Sequence, residues 1–262
     1  AKIDRLMAVR QKQVECLQEQ RTAVIHHAVT KGLDPQAKTN PSGVGWLGNV
    51  PEQWSVKRLK FVADCNRSAL PESTPADYII DYIDIGNVSS TGDVLEVQAF
   101  EFKDAPSRAR RRLTKGSVII STVRTYLKAI AFIAEPADNL IVSTGFAVLE
   151  AKSEIRPKFL YHALASEYFI QRVIADSKGV GYPAINASDL INIAVAFPES
   201  LLEQDRILEH IENETSKFDM LIAKYQRELE LLAEYRASLI SHAVTGKIDV
   251  RSLVEPVPSE AT

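Results

Sequence analysis

"EYRASLISHAVTGKID" fills residues 234–249, and "EQRTAVIHHAVTKGLD" fills residues 19–34. The two stretches lie 215 residues apart, and between 3–35 and 218–250 fourteen positions are identical. The identities include polar positions: Glu19/Glu234, Arg21/Arg236, His27/His242 and Thr30/Thr245. Amphipathicity makes apolar residues recur, but it does not dictate which polar residue sits between them. The stretches therefore read as two copies of one element rather than two unrelated helices.

The second copy belongs to a longer helix. Ser200 followed by Glu203 has the form of a capping box, and Gly246 supplies a left-handed stop. Between them Ile207, Ile211, Phe218, Ile222, Tyr225, Leu229, Leu232, Leu239 and Ala243 recur at steps of four and three, with Glu214 and Arg236 in the remaining places. Such a seam asks for a partner helix along its length. The first copy supplies one. Ile3, Met7, Val14, Leu17, Val24 and Ala28 fall on the same phase, Arg10 and Arg21 interrupt it, and Gly32 ends it. Two copies at either end of an intervening domain pair as an antiparallel coiled coil if the chain folds back.

That intervening domain has β texture. Runs such as "DYIIDYIDIGNVSSTGDVLE", "GSVIISTVRTYLKAIAFIAE" and "NLIVSTGFAVLEA" read as strands with turns between them. Lys158 to Ser177 reads as one amphipathic helix, and "PAINASDLINIAVAFP" as a loop, a helical turn and a last strand. The expected fold is α+β: a mixed α/β domain flanked by long helices. The expected divisions are a helix at 1–35, a linker at 36–44, the domain at 45–198, the long helix at 199–247 and a tail at 248–262.

The 262 residues, 45% hydrophobic and 25% charged, suffice for a sizeable core. Cys16 and Cys65 lack metal-type spacing, which fits a reducing, cytoplasmic setting. No apolar run is long enough to span a bilayer, so no membrane partner is expected. A net charge of −3 argues against nucleic acid as an average. The charge is uneven, however. From Ala105 to Ala134 there are seven basic residues and no acid, whereas Glu199 to Glu234 holds ten acids against four Lys or Arg. A basic middle and an acidic end imply different partners.

The basic segment nominates a nucleic-acid surface. "SRARRRLTKG" carries Arg108, Arg110, Arg111, Arg112 and Lys115, with Arg111 facing away from its neighbours in an extended segment. Read alone, the run fits a solvated flexible loop equally well. "STVRTYLK" adds Ser121, Thr122, Arg124, Tyr126 and Lys128, and the Gly-rich "SKGVGYPAIN" adds Lys178, Tyr182 and Asn186. Arg and Asn can make paired contacts to guanine and adenine edges, while Lys and hydroxyls suit phosphates. A competing pattern is "PAD" (Pro136–Asp138) followed by "EAK" (Glu150–Lys152), which imitates the carboxylate–carboxylate–lysine set of metal-dependent nucleases. The third alternative is a coiled-coil scaffold with no DNA affinity.

Four blocks then carry a resemblance: "WLGNVPEQWSVKRLKFVA" (Trp46–Ala63), "STVRTYLKAIAF…IVSTGFAVL" (Ser121–Leu149), "GYPAINASDLINIAVAFPESLLEQDRILEHI" (Gly181–Ile211) and the repeated "SHAVTGKID". In this order they resemble the specificity subunit of Type I restriction–modification systems. The resemblance implies a target recognition domain followed by a spacer helix, twice per subunit. Here it covers the end of one spacer, one recognition domain and a second spacer, as in a C-terminal fragment or a half-subunit that pairs with a second copy. It implies a non-catalytic subunit that reads half of a bipartite site on double-stranded DNA. No cofactor would bind this chain. Modification (methyltransferase) subunits would bring S-adenosylmethionine, and restriction/translocase subunits would bring ATP and Mg²⁺.

Overall fold

The computed structural model describes residues 2–248; the expected tail from 249 onward lies outside the described residues. In chain order, α1 (Lys2–Lys31) leads to β1 (Thr39–Pro41), β2 (Asn49–Pro51), β3 (Trp54–Arg58), α2 (Leu59–Val62) and β4 (Ala63–Cys65). Then come β5 (Ile79–Ile83), β6 (Gln98–Glu101), β7 (Ala109–Arg112), β8 (Ser117–Ser121), β9 (Ile130–Ile133), β10 (Leu140–Ser143) and β11 (Phe146–Ala151). The chain closes with α3 (Pro157–Leu164), α4 (Glu167–Asp176), α5 (Ala187–Leu190), β12 (Ala194–Pro198) and α6 (Leu201–Val244). These elements form two compact units: residues 24–212, and residues 2–23 together with 213–248.

The smaller unit is the helix pair. Arg236 meets Asp4 at 2.7 Å, Arg10 meets Glu228 at 2.8 Å, and Arg21 meets Asp219 at 2.8 Å. Numbers rise on one helix as they fall on the other, so the pair is antiparallel as expected. The repeat explains the match: Asp4 is the counterpart of Asp219 and Arg21 of Arg236, so one ion pair occurs twice about an internal two-fold. The seam interruptions are thereby resolved. Arg10 also lies 4.7 Å over the Tyr225 ring and donates to Gln13, and Val14 is buried between the helices. At 1.5 Å per residue the 44 residues of α6 extend about 66 Å. Gly32 and Gly246 adopt φ of +75° and +72°, the left-handed stops that a residue with a Cβ adopts only with strain.

The larger unit holds two four-stranded sheets, ordered β6-β5-β10-β7 and β4-β11-β8-β9, with a ribbon β12-β3 and a hairpin β1-β2. All pairings are antiparallel except β10 with β5. The uninterrupted apolar run of β8 reflects burial on both faces. Val118 and Ile120 join one core with Phe159, Leu160 and Phe197, while Ile119 joins a second with Val142, Phe146 and Val148. The first core also takes Ala28 and Val29 from the end of α1 and Ile207 and Ile211 from the start of α6. Emptying one of its fully buried aromatic positions, such as Phe159→Ala, would cost about 3–5 kcal/mol.

Several sequence expectations change in detail. The compact unit starts at Val24 rather than 45, because the end of α1 is part of its core. The linker carries β1, which pairs with β2. "NLIVSTGFAVLEA" is not one strand: β10 and β11 lie in different sheets, and the chain crosses between them at Ser143–Phe146. The single helix expected at Lys158–Ser177 breaks into α3 and α4, where the Ser166 hydroxyl donates to the Ala163 carbonyl and ends the first helix. The capping box at Ser200 is half formed. Glu203 N–H reaches the Ser200 hydroxyl at 3.4 Å, but the Glu203 carboxylate instead accepts from the Trp54 indole at 2.8 Å. Beside it the fully buried Gln204 amide donates to the carbonyls of Glu154 and Pro198 and accepts from Arg156 N–H, so its burial carries no unpaired polar group.

Candidate nucleic-acid interface

The turn after β8 is built by its hydroxyls. Ser121 Oγ donates to the Val123 carbonyl, and Thr122 donates through both N–H and Oγ1 to the Gly145 carbonyl. Both side chains are buried, Ser121 at 4% exposure and Thr122 at 9%. This corrects their nomination as phosphate ligands: they are spent inside, shaping the turn. Their work produces an unusual backbone. Arg124 and Lys128 adopt φ of +49° and +54° at either end of a 3₁₀ turn, Thr125–Leu127. For residues with a Cβ this left-handed geometry costs about 1–2 kcal/mol each, and it persists only where surrounding bonds over-determine it. Those bonds are present. Leu127 N–H donates to Arg124 and Lys128 N–H to Thr125. The Ser177 hydroxyl donates to Val173, leaving its oxygen to accept from buried Thr125 at 2.9 Å.

The Gly-rich loop docks against the same turn. Ile185 N–H donates to Thr122, Val123 bridges Ala184, and Lys178 and Ala184 exchange backbone hydrogen bonds. Arg124 lies 4.9 Å over the exposed Tyr182 ring, and no carboxylate pairs with it among the described residues. Arg124 on the turn and Lys178, Tyr182 and Asn186 on the segment bonded to it are all exposed. Lys128 is half-buried and pairs with Glu167 at 3.0 Å; the Gln171 amide and then Lys128 hold that carboxyl below its ordinary value. Lys178 also borders a cleft of about 580 Å³ whose charges are mixed: Arg58 and Arg172 line it with Asp176 and Asp189, and Arg172 is paired with Asp176 at 2.7 Å.

The basic run is not a flexible loop. Arg108 precedes β7, and Arg110, Arg111 and Arg112 lie on it, with β10 on one side and residues 68–70 on the other. Arg110 is half-buried, 4.6 Å over the Phe102 ring, and donates to the Ala109 carbonyl. Arg111 is half-buried, with its Nε unpaired among the described residues. Arg108 and Arg112 are exposed, and Lys115 pairs with Glu135. The crossing segment connects the two basic regions. Thr144 N–H donates to Arg108, and its neighbour Gly145 accepts from Thr122, both at 2.8 Å. Beneath this segment Tyr82 is 3% exposed. Burial pushes its hydroxyl pKa up, with Ser143 and Asp84 nearby, yet among the described residues no ordinary hydrogen bond to it closes.

The nuclease-like pattern does not assemble. Asp138 precedes β10, in one sheet, whereas Glu150 lies on β11, in the other. Glu150 instead faces Asp64, and Arg67 approaches both carboxylates at 3.7 and 3.4 Å. Lys152 donates to the Lys60 carbonyl and lies 3.5 Å from Asp64. Among the described residues no three His, Cys, Asp or Glu side chains gather as a cation site, and no helix is long and apolar enough to cross a membrane.

Residues 51–231 match the family described as the Type I restriction modification DNA specificity domain. The chain belongs to that family. It is 25% identical over 256 residues to the MjaVIII specificity subunit of Methanocaldococcus jannaschii, covering 95% of this chain and 58% of that one. It is 30% identical over 155 residues to the HindI specificity subunit of Haemophilus influenzae, covering 55% and 33%. The HsdS subunit from Thermoanaerobacter tengcongensis superposes with a TM-score of 0.58 at 28% identity, over 79% of this chain and 52% of that one. A chain solved in work on complex assembly and conformational transition of the type I R-M system gives 0.61 at 27% identity with the same coverage. The chain thus spans little more than half, or less, of these relatives. In this family the fold is a mixed sheet domain with long flanking helices, as the resemblance implied.

Proposed function

We propose that this chain reads one half of a bipartite DNA site as the specificity component of a Type I restriction–modification complex. One observation carries the reading within the family. The strained turn at 124–128 is bonded to the Gly-rich loop, and together they expose Arg124 over Tyr182, Lys178 and Asn186, with two further exposed arginines tied to the turn through Thr144–Gly145. Arg124 and Asn186 suit base edges, and Lys178, Arg108 and Arg112 suit phosphates. The chain itself performs no chemistry in this reading. S-adenosylmethionine, ATP and Mg²⁺ serve the modification and motor-nuclease partners. Glu150 and Lys152 are fold-holding groups, engaged by Arg67, Asp64 and Lys60.

The repeat supports paired docking of the modification subunits. Gln11, Glu15 and Glu19 stand off the seam and exposed, and their counterparts Gln226, Glu230 and Glu234 are identical and exposed too. Packing explains identity along the seam; identity on the outside fits one kind of partner bound twice.

The test is a mobility-shift assay of the chain and its reconstituted complex, on duplexes carrying the methylated motif of its host. Sequence-dependent binding without Mg²⁺-dependent cleavage by the chain alone is expected. Cleavage by the isolated chain would restore the nuclease alternative. Absence of any DNA affinity in the complex would leave a scaffold.

A further inference from the structure

Resting on the DNA-reading role above, we infer that the Tyr126–Leu127 tip is an apolar wedge that opens one base step of the bound half-site. The surface residues that surround it are chosen for charge, yet its summit is apolar. Tyr126 is 50% exposed and Leu127 38%, on a three-residue turn. Tyr182 and Val180 on the adjoining loop are also exposed. Scattered exposed apolar side chains need no explanation; a group of four on two joined loops does.

Two properties select a base stack as the occupant. The first is charge. Arg124 and Lys178 have no carboxylate partner among the described residues, whereas Lys128 is neutralised by Glu167 and the Asp176 and Asp189 carboxylates lie on the far side of Lys178, in the cleft it borders, so the unpaired charge beside the tip is positive. A surface of that sign suits a polyanion. The second is stiffness. A wedge must not fold back when it meets a stack, and here left-handed residues bracket the turn while buried Thr125 ties it to α4 through Ser177. Apolar side chains that part base steps make the protein sensitive to how easily a step unstacks, so they read deformability at positions without base-edge hydrogen bonds. Arg124 would then read an edge beside the opened step.

The test uses the complete complex and duplexes of its mapped target, with 2-aminopurine placed at successive positions of the half-site. The wild type should raise the fluorescence several-fold at one step. The Tyr126→Ala/Leu127→Ala variant should abolish that rise while still shifting DNA, and Tyr126→Phe should preserve it, since the ring and not the hydroxyl acts. An abasic site at that step removes the unstacking work in advance, so it should tighten wild-type binding about tenfold and leave the double variant unchanged. Wild-type binding with no bright position overturns the wedge and leaves DNA reading intact. Failure to bind any duplex overturns both. Loss of a methyltransferase subunit from the double variant, with the fluorescence rise retained, would make the tip a protein contact and overturn the wedge. Unchanged thermal unfolding of the variants confirms that each comparison concerns folded protein.

Discussion

Two basic segments lie within twenty residues of each other and have met different fates. "ARRR" is embedded as β7 with a neighbour on each edge; one arginine stacks on Phe102 and another is half-buried. "VRTYLK" is thrown out as a turn, with its arginine over an exposed tyrosine and two apolar residues at the summit. Charge density favours the first and exposed, strained geometry favours the second. The difference teaches that a run of arginines inside a sheet is partly consumed by packing, because the guanidinium plane stacks and its stem covers apolar surface. A single arginine on a rigid projection is free to recognise.

The strongest way to break the contrast is at the segment both regions share. A Cβ on Gly145 would lie 2.6 Å from Ile85 Cδ1 and close to Val123 and Ser143. Gly145→Ala should therefore cost about 1–3 kcal/mol of stability in a chemical unfolding titration. It should also disturb together the two basic regions proposed to face DNA. Stability within error of the wild type would mean that the crossing is soft and the turn is not held from below.

A smaller effect sharpens the contrast. Arg108→Ala/Arg112→Ala removes the two exposed arginines of the run, which should weaken all sequences alike and flatten the salt dependence by roughly two units. Arg110→Ala should leave that slope unchanged, because its guanidinium already serves Phe102 and Ala109. Equal slopes for the two variants would show that the packed arginine also reaches phosphate.

The repeat and its seam made the helix pair legible, since heptad spacing and polar identity survive without tertiary knowledge. The β-rich middle was legible as texture but not as topology. Nothing local in "NLIVSTGFAVLEA" marks where the chain changes sheets, because both halves are equally apolar. In the proposed site, Arg124, Lys178, Tyr182 and Asn186 stand out in the sequence only as residue types that suit DNA; the structure adds that they are exposed. Ser121 and Thr122 misled because a hydroxyl looks the same whether it faces phosphate or closes a turn. The left-handed residues at 124 and 128 left no signal, for neither is Gly or Asn.

The smallest expected effect concerns His26, far from either basic region in sequence. Burial lowers the pKa of its imidazole against the opposing charge of Glu167, and its ring packs 4.7 Å from Tyr168. The unfolded chain therefore takes up the proton first as pH falls. Stability should be undisturbed above about pH 6.5 and decline as pH drops through that value, and His26→Gln should remove that part of the slope. Parallel pH profiles for the two proteins would show that the imidazole is protonated without cost.

The most direct test of the account is methylome sequencing of a host that carries the complete system, with wild-type protein and with Arg124→Ala. The account predicts that one position of one half-site becomes degenerate, at a discrimination cost of about 1–3 kcal/mol, while the other half-site and the spacing remain unchanged. An identical motif, or a uniform fall in methylation at every site, would contradict it.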